Sequence, residues 1–192
     1  MARFPLVLDL ETKHTFREFS EAEKLGITVL AVYDYASERL YTYVESEVPK
    51  VFPLLENCSC IIGFNVKSFD LAVLKPYYAG NIETFPVFDI LDDIREKLGR
   101  RLALNDLISA TLGKKKTGHG LMAIDMYREG RIEELKQYCA DDVELTKQIF
   151  DYGVKHGEIY YQNELGKIPI RVEWGEYMED SGKNETPLTL PF

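Results

Sequence analysis

The chain has 192 residues, of which 45% are hydrophobic, and a formal net charge of −9. This length fits a single domain with a sizeable core. The acidic balance argues against a protein that coats long nucleic acid non-specifically, because such proteins carry a strong basic excess. It leaves open an enzyme that grips a few nucleotides at one end.

The cysteine and histidine content argues against a disulfide-linked fold or a zinc site. The three cysteines form no C-x-x-C pair, and the three histidines are too scattered for a zinc signature. We therefore expect reduced thiols and a cytoplasmic protein. We also expect no signal peptide and no membrane span, since no apolar run approaches the roughly 18 residues that a span needs.

The hydrophobic pattern predicts alternating strands and helices. An apolar strand over residues 4–11 comes first, followed by a charged loop over residues 12–26 that overhangs the strand end. Further strands are predicted over residues 27–33, 39–44, 60–65 and 85–90, the first two as an antiparallel hairpin. Helices are predicted over residues 49–56, from residue 68 onward, and over residues 91–98, 104–112, 122–127 and 132–152, before a late hairpin over residues 159–174. We expect one domain over residues 1–175 and a flexible tail over residues 176–192.

Acidic side chains fall at special positions of these elements. Asp9 and Glu11 end the first strand at positions i and i+2, so they point to the same face. Asp70 lies in the first turn of a helix that follows a short buried strand, where Asn65 is predicted as the cap. In the long helix, Asp142 lies in the middle of the apolar face, with Tyr138 one turn before it.

One fold can bring these four acids together, because strand ends and the covering helix share one edge of a sheet. Clustered carboxylates repel and raise one another's pKa, and hard divalent cations remove that cost. Two ions about 3.5–4 Å apart stabilise the attacking water and the leaving oxygen of a phosphodiester. The pattern therefore indicates a site for divalent metal ions.

Three segments carry a resemblance to a known family: Val-Leu-Asp-Leu-Glu-Thr at residues 7–12, Gly-Phe-Asn-Val-Lys-Ser-Phe-Asp at residues 63–70, and Tyr-Cys-Ala-Asp-Asp at residues 138–142. Over about residues 6–149 the chain resembles the DnaQ-like DEDD superfamily of 3′–5′ exonucleases. The spacing of Tyr138 and Asp142 matches its tyrosine branch, which includes proofreading domains of family B DNA polymerases and ribonuclease D. The histidine branch would need a histidine at Gln137. Residues 25–35 and 118–143 are also similar to ribonuclease H-like domains of some bacterial helicase-like proteins.

The resemblance implies an α/β fold of the ribonuclease H type, with a five-stranded mixed sheet in the order 3-2-1-4-5 and helices on both sides. It implies hydrolysis from the 3′ end of single-stranded DNA or RNA to nucleoside 5′-monophosphates, with two Mg²⁺ or Mn²⁺ ions. We lean towards DNA. A helicase or a polymerase is the implied type of partner, and no membrane is involved.

The resemblance also assigns roles to individual residues. Asp9 would bridge both ions, and Glu11 and Asp142 would complete the shell of the first. Asp70 would support the second ion directly or through water. Tyr138 would orient the attacking water or help to deprotonate it; because tyrosine titrates near 10 in water, orientation is the better role. Substrate contacts are assigned to Leu10, Thr12, Asn65, Phe69 and Lys115.

Several features have two readings. Residues Lys114 to Lys116 form either a phosphate contact or a solvated loop, and His119 either assists catalysis or begins a helix. Phe16 and Phe19 either stack on terminal bases or pack over the sheet. The end of the chain, Pro187 to Phe192, is similar to peptides that bind the bacterial sliding clamp, although Pro187 stands where those usually have glutamine; a tail without a partner is the alternative.

Two other functions compete with the exonuclease. One is a catalytically idle nucleic-acid-binding or scaffolding module of the same fold. The other is a phosphodiesterase that acts on nucleotides or short oligonucleotides, which would suit the acidic surface. The presence of all five motif residues speaks against the idle module.

Overall fold

The computed structural model describes residues 3–115 and 120–178. The expected roles of Lys116, of His119 and of the terminal peptide from Pro187 to Phe192 lie outside these residues. No helix in the described part of the chain is long and apolar enough to cross a membrane.

A five-stranded mixed sheet forms the centre of the molecule, in the order β3-β2-β1-β4-β5. Strands β1 and β2 pair antiparallel, as do β2 and β3, whereas β4 lies parallel to β1 and β5 parallel to β4. This topology confirms the predicted fold class and the predicted hairpin of β2 and β3. The five strands are β1 (Leu6–Thr12), β2 (Ile27–Asp34), β3 (Arg39–Val44), β4 (Ile61–Gly63) and β5 (Val87–Asp89).

Each face of the sheet is covered by an apolar layer, because successive side chains of β1 point to opposite faces. Val7 belongs to the layer that packs against the long C-terminal helix. Leu6, Leu8 and Leu10 belong to the opposite layer. Asp9 and Glu11 continue the Val7 face, so they point towards the long helix.

Within residues 3–115 and 120–178, six α-helices accompany the sheet: α1 (Phe52–Asn57), α2 (Asp70–Leu74), α3 (Ile90–Leu98), α4 (Leu104–Leu112), α5 (Gly120–Arg128) and α6 (Ile132–His156). The helix predicted over residues 49–56 is instead a 3₁₀ segment, Glu45–Lys50, followed by α1. Pro49 lies in that segment, and proline has no N–H for an α-helical ladder. Helix α6 continues beyond the predicted end at residue 152 and stops at Gly157, which is left-handed with a φ of 68°.

The C-terminal part of the described chain completes the core on the α6 side. Strands β6 (Glu158–Asn163) and β7 (Gly166–Arg171) form the predicted hairpin. A 3₁₀ segment, Trp174–Met178, follows it, and the buried Trp174 ring stacks on Phe150 with their ring centroids 5.9 Å apart. Tyr177 stacks on Phe88 at 4.1 Å. The 3₁₀ segment that ends at Met178 therefore packs on the core of the domain.

Candidate metal centre

The carboxyl ends of the three parallel strands meet at one edge of the sheet, which is where ligands bind in open α/β sheets. Helix α2 begins at this edge, directly at Asp70, two residues later than the sequence suggests. Helix α6 covers the same edge from one face and presents Asp142 and Tyr138, which are 3% and 5% exposed. The structure thus gathers the four predicted acids around the end of β1, and Tyr138 lies one turn before Asp142 on α6.

Three carboxylates form the tightest group at this edge. One oxygen each from Asp9, Glu11 and Asp142 lie within 4.8 Å of one another. The first two are half-buried, whereas Asp142 is buried on the inward face of α6, as the helical pattern predicts. Oxygen ligands in such a group suit hard divalent cations such as Mg²⁺ and Mn²⁺.

Asp70 approaches the group from the opposite side of β1. Strand β4 pairs with β1 only at Leu6 and Val7, so the later part of that β1 edge has no strand neighbour. The Asp70 carboxylate fills this gap and accepts the Leu10 N–H at 3.0 Å. An acid on α2 is thereby fixed to the backbone between Asp9 and Glu11.

An irregularity of the sheet shapes the end of β1. The pairing register with β2 shifts between Glu11 and Thr12, because Thr28 on β2 is an extra residue with no pairing partner on β1, as in a β-bulge. The Thr28 hydroxyl donates to the Glu11 carbonyl oxygen at 3.0 Å beside this shift. Bulges bend a strand and re-aim its side chains, and they are common next to active sites.

Burial and charge perturb the groups at this edge. Asp70 is 2% exposed, and burial, followed by the nearby Asp9, raises its pKa well above the usual carboxyl value, although the Leu10 N–H opposes the shift. Burial also raises the pKa of the Cys139 thiol, and the Asp9 carboxylate adds to the effect. That thiol donates to the Asp9 carbonyl oxygen at 3.5 Å. An added cation would favour ionised acids here, so the donor set and its electrostatics fit a divalent metal.

The loop between β4 and α2 is tightly folded against the strand. A Cβ at Gly63 would lie 2.6 Å from the Val66 Cβ, so only glycine fits there. Asn65 has a left-handed backbone with a φ of 68°. The prediction that Asn65 caps α2 is wrong: the N-cap is Phe69, and the Asn65 Oδ1 instead accepts from Ser68 Oγ at 2.9 Å and from Arg101 at 3.0 Å. The tight fold of the loop leaves its side chain outside the first turn of the helix.

Asp89, at the end of β5, binds the loop that leads to Asp70, and the sequence pattern did not single it out. It accepts the N–H groups of Asn65 at 2.9 Å, Lys67 at 3.0 Å and Leu91 at 3.0 Å. The contact with Leu91 is an ordinary helix cap, and an aspartate before the apolar start of α3 is a readable signal for it. The two contacts with the β4–α2 loop depend on tertiary structure and leave no local sequence signal.

The predicted substrate residues differ in their accessibility. Leu10 and Thr12 are buried, and the Thr12 hydroxyl donates to the His14 carbonyl oxygen at 2.8 Å. Phe69 lies with its ring 5.9 Å from that of Phe16, which is 55% exposed. Lys115 is exposed in the loop after α4.

A family model described as the RNase H superfamily (RNase_H_2) matches residues 6–154. The chain belongs to the RNase H superfamily. Among solved structures, this RNase H superfamily chain is similar to the family B DNA polymerase from the hyperthermophilic archaeon Pyrobaculum calidifontis, with a TM-score of 0.59 and 14% sequence identity. The similarity covers 80% of this chain and 25% of the polymerase chain, so it shows the shared fold alone. No curated protein matches the sequence.

The family match and the sheet order together confirm the predicted DnaQ-like, ribonuclease H-like fold. Many nucleases have this fold, and they generally act on nucleic acid with the help of divalent metal ions. Neither comparison supports docking to a sliding clamp.

Proposed function

We propose that the chain is a metal-dependent 3′–5′ exonuclease of the tyrosine branch of the DEDD superfamily. The observation that carries the proposal is the convergence of Asp9, Glu11 and Asp142 within 4.8 Å, with Asp70 bound to the backbone between the first two. An idle module of the same fold has no need to hold four acids against one another at a repulsive cost.

The carboxylates have distinct places in this mechanism. Asp9, Glu11 and Asp142 would hold one divalent ion, and Asp70 with Asp9 would hold a second, directly or through water. Two Mg²⁺ or Mn²⁺ ions, when bound, supply a water of lowered pKa and charge stabilisation at the phosphate. Helix α6 fixes Tyr138 one turn from Asp142, and its hydroxyl would orient the attacking water.

The aromatic residues beside the centre favour an unpaired 3′ end as substrate. Phe16, on the loop after β1, and Phe69, before Asp70, form an accessible ring pair on the side of α2. Bases of a single strand stack on such rings without sequence preference, which contributes about 1–3 kcal/mol per base. Leu10, Thr12, Asn65 and Lys115 are further proposed substrate contacts.

We propose single-stranded DNA as the substrate and a polymerase or helicase as the type of partner. The tyrosine motif resembles that of polymerase proofreading domains, and a family B DNA polymerase shares the fold. We also propose a cytoplasmic location, which the three cysteines support because they form no disulfide.

A paired nuclease assay tests this proposal. Single-stranded DNA and RNA of one sequence, each labelled at the 5′ end, are incubated with Mg²⁺ or Mn²⁺ and with the wild type, Asp142→Ala or Asp141→Ala. Asp141 is the matched control, because it precedes Asp142 on α6 and is not a member of the acidic group. Its carboxylate accepts a hydrogen bond from the Gln137 side chain at 2.8 Å. We expect a ladder that shortens from the 3′ end with wild type and Asp141→Ala, and none with Asp142→Ala.

Two results would contradict the proposal. Cleavage by Asp142→Ala within about tenfold of the wild-type rate would show that this acidic group does not hold a catalytic metal, since the loss of a metal ligand should lower the rate far more. No cleavage of either strand by a folded wild type with both metals would favour the idle module. Cleavage of RNA in preference to DNA would reassign the substrate and keep the chemistry.

A phosphodiesterase of short oligonucleotides is the second candidate, favoured by the net charge of −9. A salt titration separates it from an enzyme on long strands. Each neutralised phosphate of a single strand contributes about −0.7 to the slope of log affinity against log salt. A shallow slope with equal turnover of two-nucleotide and twenty-nucleotide substrates would support the short-substrate enzyme.

A further inference from the structure

The Asp89 carboxylate joins two elements that are distant in sequence. Its Oδ1 accepts from Leu91 at 3.0 Å, as a helix cap does, and also from Asn65 at 2.9 Å. Its Oδ2 accepts from Lys67 at 3.0 Å. A cap alone would need one oxygen, so the two further hydrogen bonds hold something other than α3.

What they hold is the loop that carries Asp70 to the metal centre. This loop comprises residues 64–69 and includes a non-glycine residue, Asn65, with a φ of 68°. Such a backbone is uncommon for non-glycine residues, although asparagine tolerates it better than most, and it persists where the surrounding structure holds it. Asp89 contributes to that enforcement, because the N–H of Asn65 itself donates to it.

Asp70 follows the loop directly and has a demanding position. It is 2% exposed, it faces the Asp9 carboxylate, and its Oδ1 must reach the Leu10 N–H at 3.0 Å. Repulsion between acids works against this position in the absence of metal. The loop must therefore be held from its far side, and Asp89 is a buried side chain in position to do so, 3% exposed and at the end of the neighbouring parallel strand.

We propose that Asp89 is a positioning residue that holds the loop between β4 and α2 so that Asp70 stays on the edge of β1. The inference rests on the proposed function for its effect on turnover, but its structural effect can be measured without any substrate. Asp89 touches neither metal nor nucleic acid in this proposal and acts only through the loop.

The test substitutes Asp89 with Asn and uses Asp34→Asn as the matched control. In Asp89→Asn, one amide orientation turns an NH₂ towards the Lys67 N–H, and the other turns it towards those of Asn65 and Leu91. Asp34 is also buried, and it accepts from Ala36 at 2.9 Å and from Ser37 at 2.7 Å at the opposite edge of the sheet. Both variants thus lose part of a buried carboxylate network, but only one network touches the loop.

The first readout is the state of the Leu10 amide in the metal-free protein, measured as its hydrogen-exchange rate and its NMR chemical shift. We expect faster exchange and a shifted amide resonance in Asp89→Asn and an unchanged amide in Asp34→Asn. The second readout is Mn²⁺ affinity by calorimetry, with turnover of single-stranded DNA as the third. We expect each to fall about 10–100-fold in Asp89→Asn alone, as for groups that orient metal ligands.

A second variant guards against loss of folding. Asp89→Ser keeps one side-chain acceptor for the cap of α3 and lacks the oxygen that Lys67 uses. The proposal is overturned if the Leu10 amide and Mn²⁺ affinity in a folded Asp89 variant match those of Asp34→Asn. It is also overturned if both Asp89 variants unfold while Asp34→Asn stays folded, because the role would then be structural. A wild type that cleaves no nucleic acid would refute the proposed function, and the Leu10 amide would still decide the positioning role.

Discussion

Replacing Asp142 with Asn should stabilise the metal-free protein and abolish its response to metal. Asp142 shares a group with Asp9 and Glu11 in which oxygens lie within 4.8 Å of one another. At that distance two unit charges repel by about 0.9 kcal/mol at a dielectric constant of about 80, and by about 3.5 kcal/mol at about 20. The substitution removes two such pairs while keeping the shape of the side chain, so even the lower figure gives a gain of about 2 kcal/mol.

The gain can be read as a melting temperature. For a domain of this size, about 1 kcal/mol corresponds to about 2–4 °C, so Asp142→Asn should melt about 4–8 °C above wild type in EDTA. Mn²⁺ at 100 times its dissociation constant should add about 2.7 kcal/mol to the wild type, or about 5–11 °C. It should add almost nothing to Asp142→Asn, because the amide that replaces the carboxylate keeps only one oxygen and carries no negative charge.

The assay is a thermal melt of wild type, Asp142→Asn and Asp141→Asn, each in EDTA and in millimolar Mn²⁺. Asp141→Asn should follow wild type in both conditions. The reasoning fails if Asp142→Asn melts below wild type in EDTA, since repulsion would then not be a net cost at this edge. It also fails if Mn²⁺ raises the melting temperatures of wild type and Asp142→Asn equally, because the metal would then bind elsewhere.

Three further predictions concern titration, thiols and packing. Burial and a neighbouring carboxylate raise the pKa of Asp70 in the folded, metal-free protein. Stability should therefore fall as the pH rises from about 4, the ordinary carboxyl pKa, through the raised pKa. In thermal melts from pH 5 to 8, Asp70→Asn should show a smaller dependence of the melting temperature on pH. Burial raises the pKa of Cys58 and of Cys60 to about 12, so a thiol reagent at pH 8 should leave the folded protein unlabelled and react in urea. A Cβ at Gly153 would lie 2.3 Å from the Trp174 ring, so Gly153→Ala should lower stability by about 1–3 kcal/mol in urea unfolding, whereas helix propensity alone predicts a gain of up to about 1 kcal/mol.

Much of the fold follows from local pattern, because the strands carry apolar runs and the longest helix carries a clear apolar face. The alternation of β1 places Asp9 and Glu11 on one face, and the periodicity of α6 places Asp142 inward; the structure agrees with both. Element ends were less accurate. Helix α2 begins at Asp70, not at residue 68, because the preceding loop is folded tightly around Gly63 and Asn65.

The parts of the centre that the sequence did not predict depend on contacts between distant segments. A β-strand pattern does not reveal that β4 leaves β1 after Val7, and this departure exposes the Leu10 N–H that Asp70 binds. Phe16 lies in a charged loop, and the sequence pattern does not show which residue its ring would contact. In the structure this ring packs beside the Phe69 ring, which precedes α2.

The short strand β4 connects these observations into one physical account of the edge. A longer β4 would satisfy the β1 backbone by strand pairing and would leave no place for a carboxylate on α2. Because β4 ends at Gly63, the chain must turn at once, and the turn is stabilised from the next strand by Asp89. The same early ending therefore creates the backbone donor for Asp70 and the loop that delivers it. Extending β4 by mutation should therefore displace Asp70, which would relieve the acidic repulsion and remove the proposed second ion site together.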